Sequence, residues 1–265
     1  MARATRARGG CASSSRPASP RWPGSAPPAT MPPLTTIGFD ADDTLWENEV
    51  YYHAAKRRFA AQLSFACPEE HSLAALDEIE VRNVDIYGFG IKSFSLSMIE
   101  AAARLLPDRL EPELIDSVLA ISKEMLLHPV ELIDGVPAML DRLAAAYSLV
   151  LLTKGDLFEQ QLKIKRSGIA DRFRAVRVLQ AKTAEVYAQV LGDLGVPPAE
   201  FVMVGNSLRS DILPAVELGA RAVFIPHAHT WSHEHVQAEH LPSRGWIEIA
   251  SLTDLPSALQ ELEAE

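Results

Sequence analysis

The sequence has few cysteines and no long apolar run. Cys11 and Cys67 are the only cysteines among 265 residues, and they stand far apart in unlike contexts. We therefore expect no disulfide framework, and a soluble protein in a reducing, cytoplasmic compartment. No stretch approaches the roughly 18 consecutive apolar residues of a transmembrane helix. The formal net charge of −10 argues against a general binder of nucleic acid or of anionic membranes.

Acidic residues are absent from the chain until Asp40, and residues 1–30 combine five arginines with many alanines, serines and prolines. An organelle transit peptide has such an Arg- and Ser-rich, acid-poor composition. Proline and glycine would interrupt the amphipathic helix of a transit peptide. We therefore favour a disordered tail, or a start codon assigned too early with Met31 as the true first residue. Residues 1–33 are expected to lie outside the folded region.

The middle of the chain has apolar residues at helical spacing and no strong strand signal. This pattern predicts four helices, which cover residues 51–63, 73–84, 92–106 and 112–127. From residue 131 onward, short apolar runs alternate with helical stretches. The predicted strands lie at 148–153, 173–179, 201–205, 222–225 and 246–249, and the predicted helices at 137–146, 157–167, 184–194, 210–218 and 254–263.

Such alternation indicates βαβ units and a mostly parallel sheet. An earlier β-rich run at 35–39 adds one more strand, ahead of the helical block. The expected fold class is therefore α/β: a Rossmann-like parallel sheet core with a helical cap inserted after its first strand. We expect the core to comprise residues 34–49 and 131–265, and the cap residues 50–130.

Polar residues follow the predicted strands at the points where the strands end. Asp40 and Asp42 come directly after the first strand. One carboxylate can be a nucleophile and the other a general acid and base, if a cation holds the first ionised. The other polar residues of this kind are Thr153, Lys154, Lys182, Asn206 and Asp211. Because the carboxyl ends of parallel strands share one edge of a sheet, we expect these side chains to converge.

The chemistry of these residues suits a phosphate group and a hard cation. A threonine hydroxyl and free backbone N–H groups at a strand-to-helix turn can bind phosphate oxygens. Side-chain oxygens near residue 206 are suited to Mg²⁺. Each feature alone is weak, because Asp-x-Asp is often a solvated loop and Asn-Ser is a common helix cap. Their order and shared placement strengthen the interpretation.

In this order the motifs resemble those of the haloacid dehalogenase-like (HAD) hydrolases. Residues 39–45 resemble motif one and residues 151–155 motif two. Lys182 stands where the motif-three lysine is expected, and residues 204–211 resemble motif four. The resemblance covers roughly residues 34–226, and it identifies the helical block as a cap of the type inserted after motif one.

The resemblance implies a Mg²⁺-dependent phosphatase. Asp40 would attack phosphorus and form an aspartyl-phosphate, and Asp42 would protonate the leaving oxygen and then activate water. Thr153, Lys154 and Lys182 would bind the phosphoryl group. The metal would be held by the Asp40 carboxylate, the Asp42 backbone carbonyl and a motif-four side chain. An anionic nucleophile needs such cations to approach a phosphate dianion.

One position departs from the family pattern. Motif four usually has an acid directly after its glycine, and this sequence has Asn206. An amide oxygen still ligates Mg²⁺, with less charge, and Asp211 could supply the missing charge directly or through water. The sequence leaves open which of the two is the third metal ligand.

Three alternatives remain at the level of sequence. A 2-haloacid dehalogenase uses the same nucleophilic aspartate but needs neither Mg²⁺ nor an acid at position 42, so Asp42 favours phosphoryl transfer. A catalytically idle binding module on the same fold is disfavoured by the intact motif set. Five histidines between His227 and His240 could bind zinc, or could form a surface stretch beside the active-site mouth. The expected partner is a small phosphorylated metabolite: phosphoglycolate, a sugar phosphate and a nucleoside monophosphate stay open, as does the oligomeric state.

Overall fold

A sheet of six parallel strands forms the centre of the computed structural model, which describes residues 32–107, 110–229, 231, 236 and 241–264. The prediction for the N-terminal tail falls almost entirely on residues outside this set. The strand order is β3-β2-β1-β4-β5-β6. The strands are β1 (Thr36–Phe39), β2 (Ser148–Lys154), β3 (Ala175–Leu179), β4 (Phe201–Gly205), β5 (Arg221–Phe224) and β6 (Trp246–Glu248). The predicted α/β class with a parallel, Rossmann-like sheet is confirmed.

The chain reverses its direction of travel across the sheet between β1 and β4. In such open sheets, ligands bind in the crevice beyond the carboxyl ends of the strands at this switch point. Phe39, the last residue of β1, pairs with Leu151 of β2 and Val204 of β4. The backbone N–H of Asp40 continues the pairing by donating to the Val204 carbonyl at 2.9 Å. Asp40 therefore lies at the edge where a ligand is expected.

Four consecutive helices follow β1 and have a hydrophobic cluster of their own. They are α1 (Glu49–Gln62), α2 (Glu69–Tyr87), α3 (Ile91–Leu105) and α4 (Pro112–Leu127). Phe59, Leu76, Met98 and Ile121 are fully or almost fully buried in this cluster. We call residues 49–127 the four-helix segment. A separate core is what the cap interpretation requires, and the exact division into cap and core stays a prediction.

The remaining helices cover both faces of the sheet, as a parallel sheet requires. They are α5 (Val136–Ala144), α6 (Leu157–Ser167), α7 (Ala184–Leu194), α8 (Leu213–Glu217) and α9 (Leu255–Ala264). Leu140 and Leu259 pack on one face, and Tyr187 and Ala215 on the other. Among the residues that the structure describes, no helix has the length and apolarity needed to cross a membrane.

Several predicted bounds differ from the structure: the helix predicted at 73–84, for example, spans Glu69–Tyr87. Two of the differences have a clear local cause. The helix predicted at 210–218 begins earlier, with a π-helical turn at Leu208–Ile212 that leads into α8, because the Ser207 hydroxyl caps it by accepting from the Ser210 N–H at 2.9 Å. The strand predicted from 173 begins at Ala175, because Phe173 closes a short 3₁₀ turn at Ala170–Arg172.

Candidate active site

Asp40 is the buried carboxylate at the end of β1, with 7% of its surface exposed. Its Oδ1 accepts from the Lys182 ammonium, and its Oδ2 accepts from the Thr44 hydroxyl at 3.3 Å. Burial raises the pKa of Asp40 to about 7, with Lys182 acting in the opposite direction and Asp211 adding to the rise. The effect of burial on the pKa of Asp40 is thus larger than the opposing effect of Lys182.

Lys182 lies between two carboxylates. Besides Asp40, its Nζ donates to Asp211 Oδ1 at 2.6 Å, and its side chain is almost completely buried. Burial disfavours its charge, but Asp211 and Asp40 outweigh this effect and hold the pKa of Lys182 well above its ordinary value. Lys182 is therefore a permanent cation in contact with the candidate nucleophile.

Asp211 is fixed at both of its oxygens. Oδ2 accepts from the Ser207 backbone N–H at 3.0 Å, while Oδ1 accepts from Lys182. The carboxylate packs directly on the backbone of Gly205, where an added Cβ would overlap it. A glycine is needed at 205 for this close approach. Asp211 therefore anchors Lys182 and the loop after β4.

The side-chain amide of Asn206 lies against three oxygen atoms of the protein. Its side-chain oxygen position lies 3.2 Å from the Asp42 carbonyl oxygen, 3.2 Å from Asp40 Oδ2 and 3.2 Å from Thr44 Oγ1. An amide NH₂ in this position would donate to these oxygens, whereas an amide oxygen needs a cation among them. One carboxylate oxygen, one backbone carbonyl and one amide oxygen are ligands suited to Mg²⁺. The residues therefore fit the metal that the motifs predict, and Asn206 faces this position.

Asp42 is held by three side chains that the sequence did not point to. Its carboxylate accepts from Trp46 Nε1 at 2.6 Å, from Gln160 Nε2 at 2.8 Å and from Lys163 Nζ at 2.9 and 3.1 Å. Gln160 and Lys163 lie on α6, so two separate parts of the chain meet here. All three partners of this carboxylate are hydrogen-bond donors. It must leave some of these bonds before it can donate a proton.

Thr153 and Lys154 end β2 at the same edge of the sheet. Thr153 is buried, and its hydroxyl donates to Gln160 Oε1 at 3.4 Å. Lys154 Nζ donates to the Ser210 hydroxyl at 3.0 Å and lies 4.2 Å from the centre of the Phe89 ring. The structure therefore brings all the residues singled out in the sequence to the lining of one cavity, namely Asp40, Asp42, Thr153, Lys154, Lys182, Asn206 and Asp211.

This cavity has a volume of about 140 Å³ and lies between the sheet edge and the four-helix segment. The loop that precedes α3 contacts the start of α6. The Ile91 N–H donates to Glu159 Oε2 at 2.8 Å, and Lys92 pairs with Asp156 at 2.7 Å. Gly90 has a φ of +109°, and a Cβ there would lie 2.8 Å from Glu159 Oε2. The loop thus lies close against the start of α6, beside the cavity.

His227 contacts two acids beside the site. Its Nε2 lies 3.2 Å from Glu47 Oε2 and its Nδ1 lies 3.5 Å from Asp43 Oδ1. These three residues could together hold a cation. Asp43 also caps α1, since its Oδ1 accepts from the N–H groups of Asn48 and Glu49 at 2.9 and 3.0 Å. The zinc interpretation of the histidine cluster stays a prediction, and its members at 233, 235 and 240 lie outside the described residues.

Comparison with known proteins places these observations in a family. The family model described as haloacid dehalogenase-like hydrolase matches residues 34–219. The crystal structure of a haloacid dehalogenase-like family hydrolase from Xanthomonas campestris superimposes with a TM-score of 0.76 at 39% identity, over 87% of this chain and 92% of that one.

The named relatives differ in chemistry. N-acylneuraminate-9-phosphatase of Homo sapiens is 29% identical over 150 residues, which are 54% of this chain and 58% of the relative, so the match spans less than two thirds of that protein. The L-2-haloacid dehalogenase of Xanthobacter autotrophicus shares the fold with a TM-score of 0.58 at 17% identity, over 86% of this chain and 98% of that one. The fold alone therefore does not decide between the two reactions, and the site residues must.

Proposed function

Because the chain belongs to the haloacid dehalogenase-like hydrolases, we propose that it hydrolyses a small phosphomonoester with Mg²⁺, through an aspartyl-phosphate on Asp40. The observation that carries the proposal is the pairing of Asp40 with Lys182 in the same cavity as a second acid, Asp42. The phosphatase named among the relatives is consistent with it.

Asp40 acts as the nucleophile. Its carboxylate oxygen forms a bond to phosphorus while the bond from phosphorus to the alcohol oxygen breaks, and Asp42 gives its proton to that oxygen. Asp42 then takes a proton from water, whose oxygen forms a bond to phosphorus and displaces the Asp40 carboxylate. Lys182 and the Thr153 hydroxyl offer hydrogen bonds to the phosphoryl oxygens throughout. The first proton transfer starts on Asp42 and the second ends on it, so one residue serves both half-reactions.

Asp40, the Asp42 carbonyl and Asn206 are the groups that would hold Mg²⁺. When bound, the metal supplies positive charge that offsets repulsion between the Asp40 carboxylate and the phosphate dianion. Asp211 has both oxygens committed to Lys182 and Ser207, which supports Asn206 as the direct ligand and Asp211 as a support.

The environment of Asp42 favours phosphoryl transfer over dehalogenation. A 2-haloacid dehalogenase needs no second acid at position 42, whereas here Trp46, Gln160 and Lys163 converge on a carboxylate there. Substrate binding would have to draw Asp42 away from some of these donors. We propose that the four-helix segment acts as a cap that excludes water and selects the alcohol, and that the protein works in the cytoplasm.

Phosphate release from p-nitrophenyl phosphate tests the proposal. Wild type should turn over with Mg²⁺ and stop in EDTA, and Asp40→Asn should abolish turnover. The exposed Asp171→Asn is the matched control and should behave as wild type. Turnover that survives Asp40→Asn would contradict the proposal. Release of chloride from 2-chloropropionate without phosphate release would favour the dehalogenase instead.

A further inference from the structure

The four-helix segment lines the cavity with acids and aromatic rings. We call these residues the helical wall: Glu49, Tyr52, Glu80, Phe89, Ser93 and Phe94. Trp231 adds another ring to the lining. Among the described lining residues, Lys154 and Lys182 are the cations, and both bind partners at the carboxyl edge of the sheet. Lys154 Nζ also lies 4.2 Å from the centre of the Phe89 ring, so the part of the wall without a lining cation consists of Glu49, Tyr52, Glu80 and Phe94.

The carboxylates of the helical wall are short of positive charge. The Glu49 side chain forms no hydrogen bond or ion pair with the residues that the structure describes. Burial raises the pKa of Glu49 to about 8, with the nearby Asp43 and Glu80 adding to the rise, and a cation bound beside Glu49 would lower that pKa. Glu80 pairs with Lys56 at 2.8 Å, but Lys56 also pairs with Asp77 at 2.7 Å. Lys56 thus pairs with two carboxylates and Glu49 with none, so an ammonium group in the cavity would supply the charge that Glu49 lacks.

This wall discriminates among substrates by charge. A carboxylate or second phosphate on the alcohol would lie against the unpaired Glu49 and against Glu80, whose lysine partner is shared with Asp77, which disfavours binding. An ammonium group would meet these acidic side chains and the Phe94 ring, and both attract cations. The site should therefore bind phosphomonoesters of cationic alcohols more tightly than those of anionic alcohols.

The cavity favours a compact substrate. Its volume of about 140 Å³ is below the roughly 300–1,000 Å³ that is typical of ligand pockets. A small alcohol part therefore fits better than a large one.

We propose that the substrate is the phosphomonoester of a small amino alcohol, with its ammonium group bound by Glu49, Glu80 and the Phe94 ring. This inference rests on the proposed phosphatase function and specifies the leaving group of that same site.

Three phosphates that differ mainly in terminal charge test the inference: phosphoethanolamine, n-propyl phosphate and phosphoglycolate. In wild type with Mg²⁺, we expect kcat/KM to fall in that order, with at least about a tenfold step from the cationic to the neutral substrate. Equal or higher kcat/KM for the neutral or the anionic substrate would overturn the inference. If p-nitrophenyl phosphate is still hydrolysed in that case, the proposed function survives.

A substitution separates charge recognition from general damage. Glu49→Gln should lower the ratio of kcat/KM for phosphoethanolamine to that for propyl phosphate by about tenfold. The ratio is measured within one variant, so a smaller active fraction does not change it. Glu78→Gln, an exposed position on α2 that pairs with Arg104, is the matched control and should keep the wild-type ratio. An unchanged ratio in Glu49→Gln would overturn the role of the helical wall. Failure to hydrolyse any of the phosphates, p-nitrophenyl phosphate included, would instead contradict the proposed function and remove the basis of the inference with it.

Discussion

Removal of the Lys182 charge should destabilise the folded protein, because two buried carboxylates depend on it. Lys182→Met keeps the length of the side chain and deletes the charge between Asp40 and Asp211, which contact Nζ from two sides. Both carboxylates would then be buried without a cation. Breaking a buried pair in this way costs about 3–5 kcal/mol of unfolding free energy.

The loss should depend on pH with a definite sign. Without Lys182, which lowers the pKa of Asp40, that pKa rises further above its ordinary value in the folded state. The folded variant then binds more protons than the unfolded chain, so its stability falls as pH rises. The difference from wild type should be small near about pH 5, where Asp40 can protonate, and largest near about pH 8.

Urea denaturation in EDTA at both pH values measures this difference by linear extrapolation. Lys165→Met, on the exposed face of α6, is the matched control and should change stability by no more than about 0.5 kcal/mol. Turnover of Lys182→Met should also fall by about 10²–10³-fold, as for loss of an oxyanion-stabilising donor. A loss of stability below about 1 kcal/mol near pH 8, or one independent of pH, would refute this account of Lys182.

Three further outcomes are expected. Gly205→Ala should displace the Asp211 carboxylate that lies against it and destabilise the fold by about 1–3 kcal/mol in urea denaturation; wild-type stability would contradict this packing. Glu49→Gln should match the stability of wild type near about pH 5 and exceed it near about pH 9, by up to about 5 kcal/mol. The reason is that the pKa of Glu49 in folded wild type is about 8, above its ordinary value of 4.5. Wild type therefore loses stability as the pH rises from the lower value to the higher one, and the glutamine variant does not. Asn206→Asp should bind Mg²⁺ more tightly, and Asn206→Ala more weakly, in titrations followed by thermal unfolding; equal affinities would place the metal elsewhere.

The convergence of the catalytic residues could be predicted because it depends on one rule of parallel sheets. Asp40, Thr153 and Asn206 each follow a short apolar run, and those runs pair side by side in register. Several helices, such as Pro112–Leu127 and Ala184–Leu194, begin and end where the sequence predicts, because proline or glycine marks an end of each. Local signals were therefore sufficient for the framework.

The partners of Asp42 and the charge of the helical wall could not be predicted. Lys163 lies 121 residues from Asp42, and on an amphipathic helix it is expected to be a solvated lysine. The one available signal was the spacing of Glu159, Gln160 and Lys163, which places three polar side chains on one face of α6. Glu49 and Glu80 looked like ordinary exposed helix residues, because only the packing of α1 and α2 above the sheet turns them toward a cavity.

The most direct test of the central claim is to trap the covalent intermediate. Acid quenching during turnover of radiolabelled p-nitrophenyl phosphate, followed by peptide mapping, should place the label on the peptide that contains Asp40, and Asp40→Asn should show none. Phosphate release without a labelled Asp40 peptide, or label on another residue, would contradict Asp40 as the nucleophile.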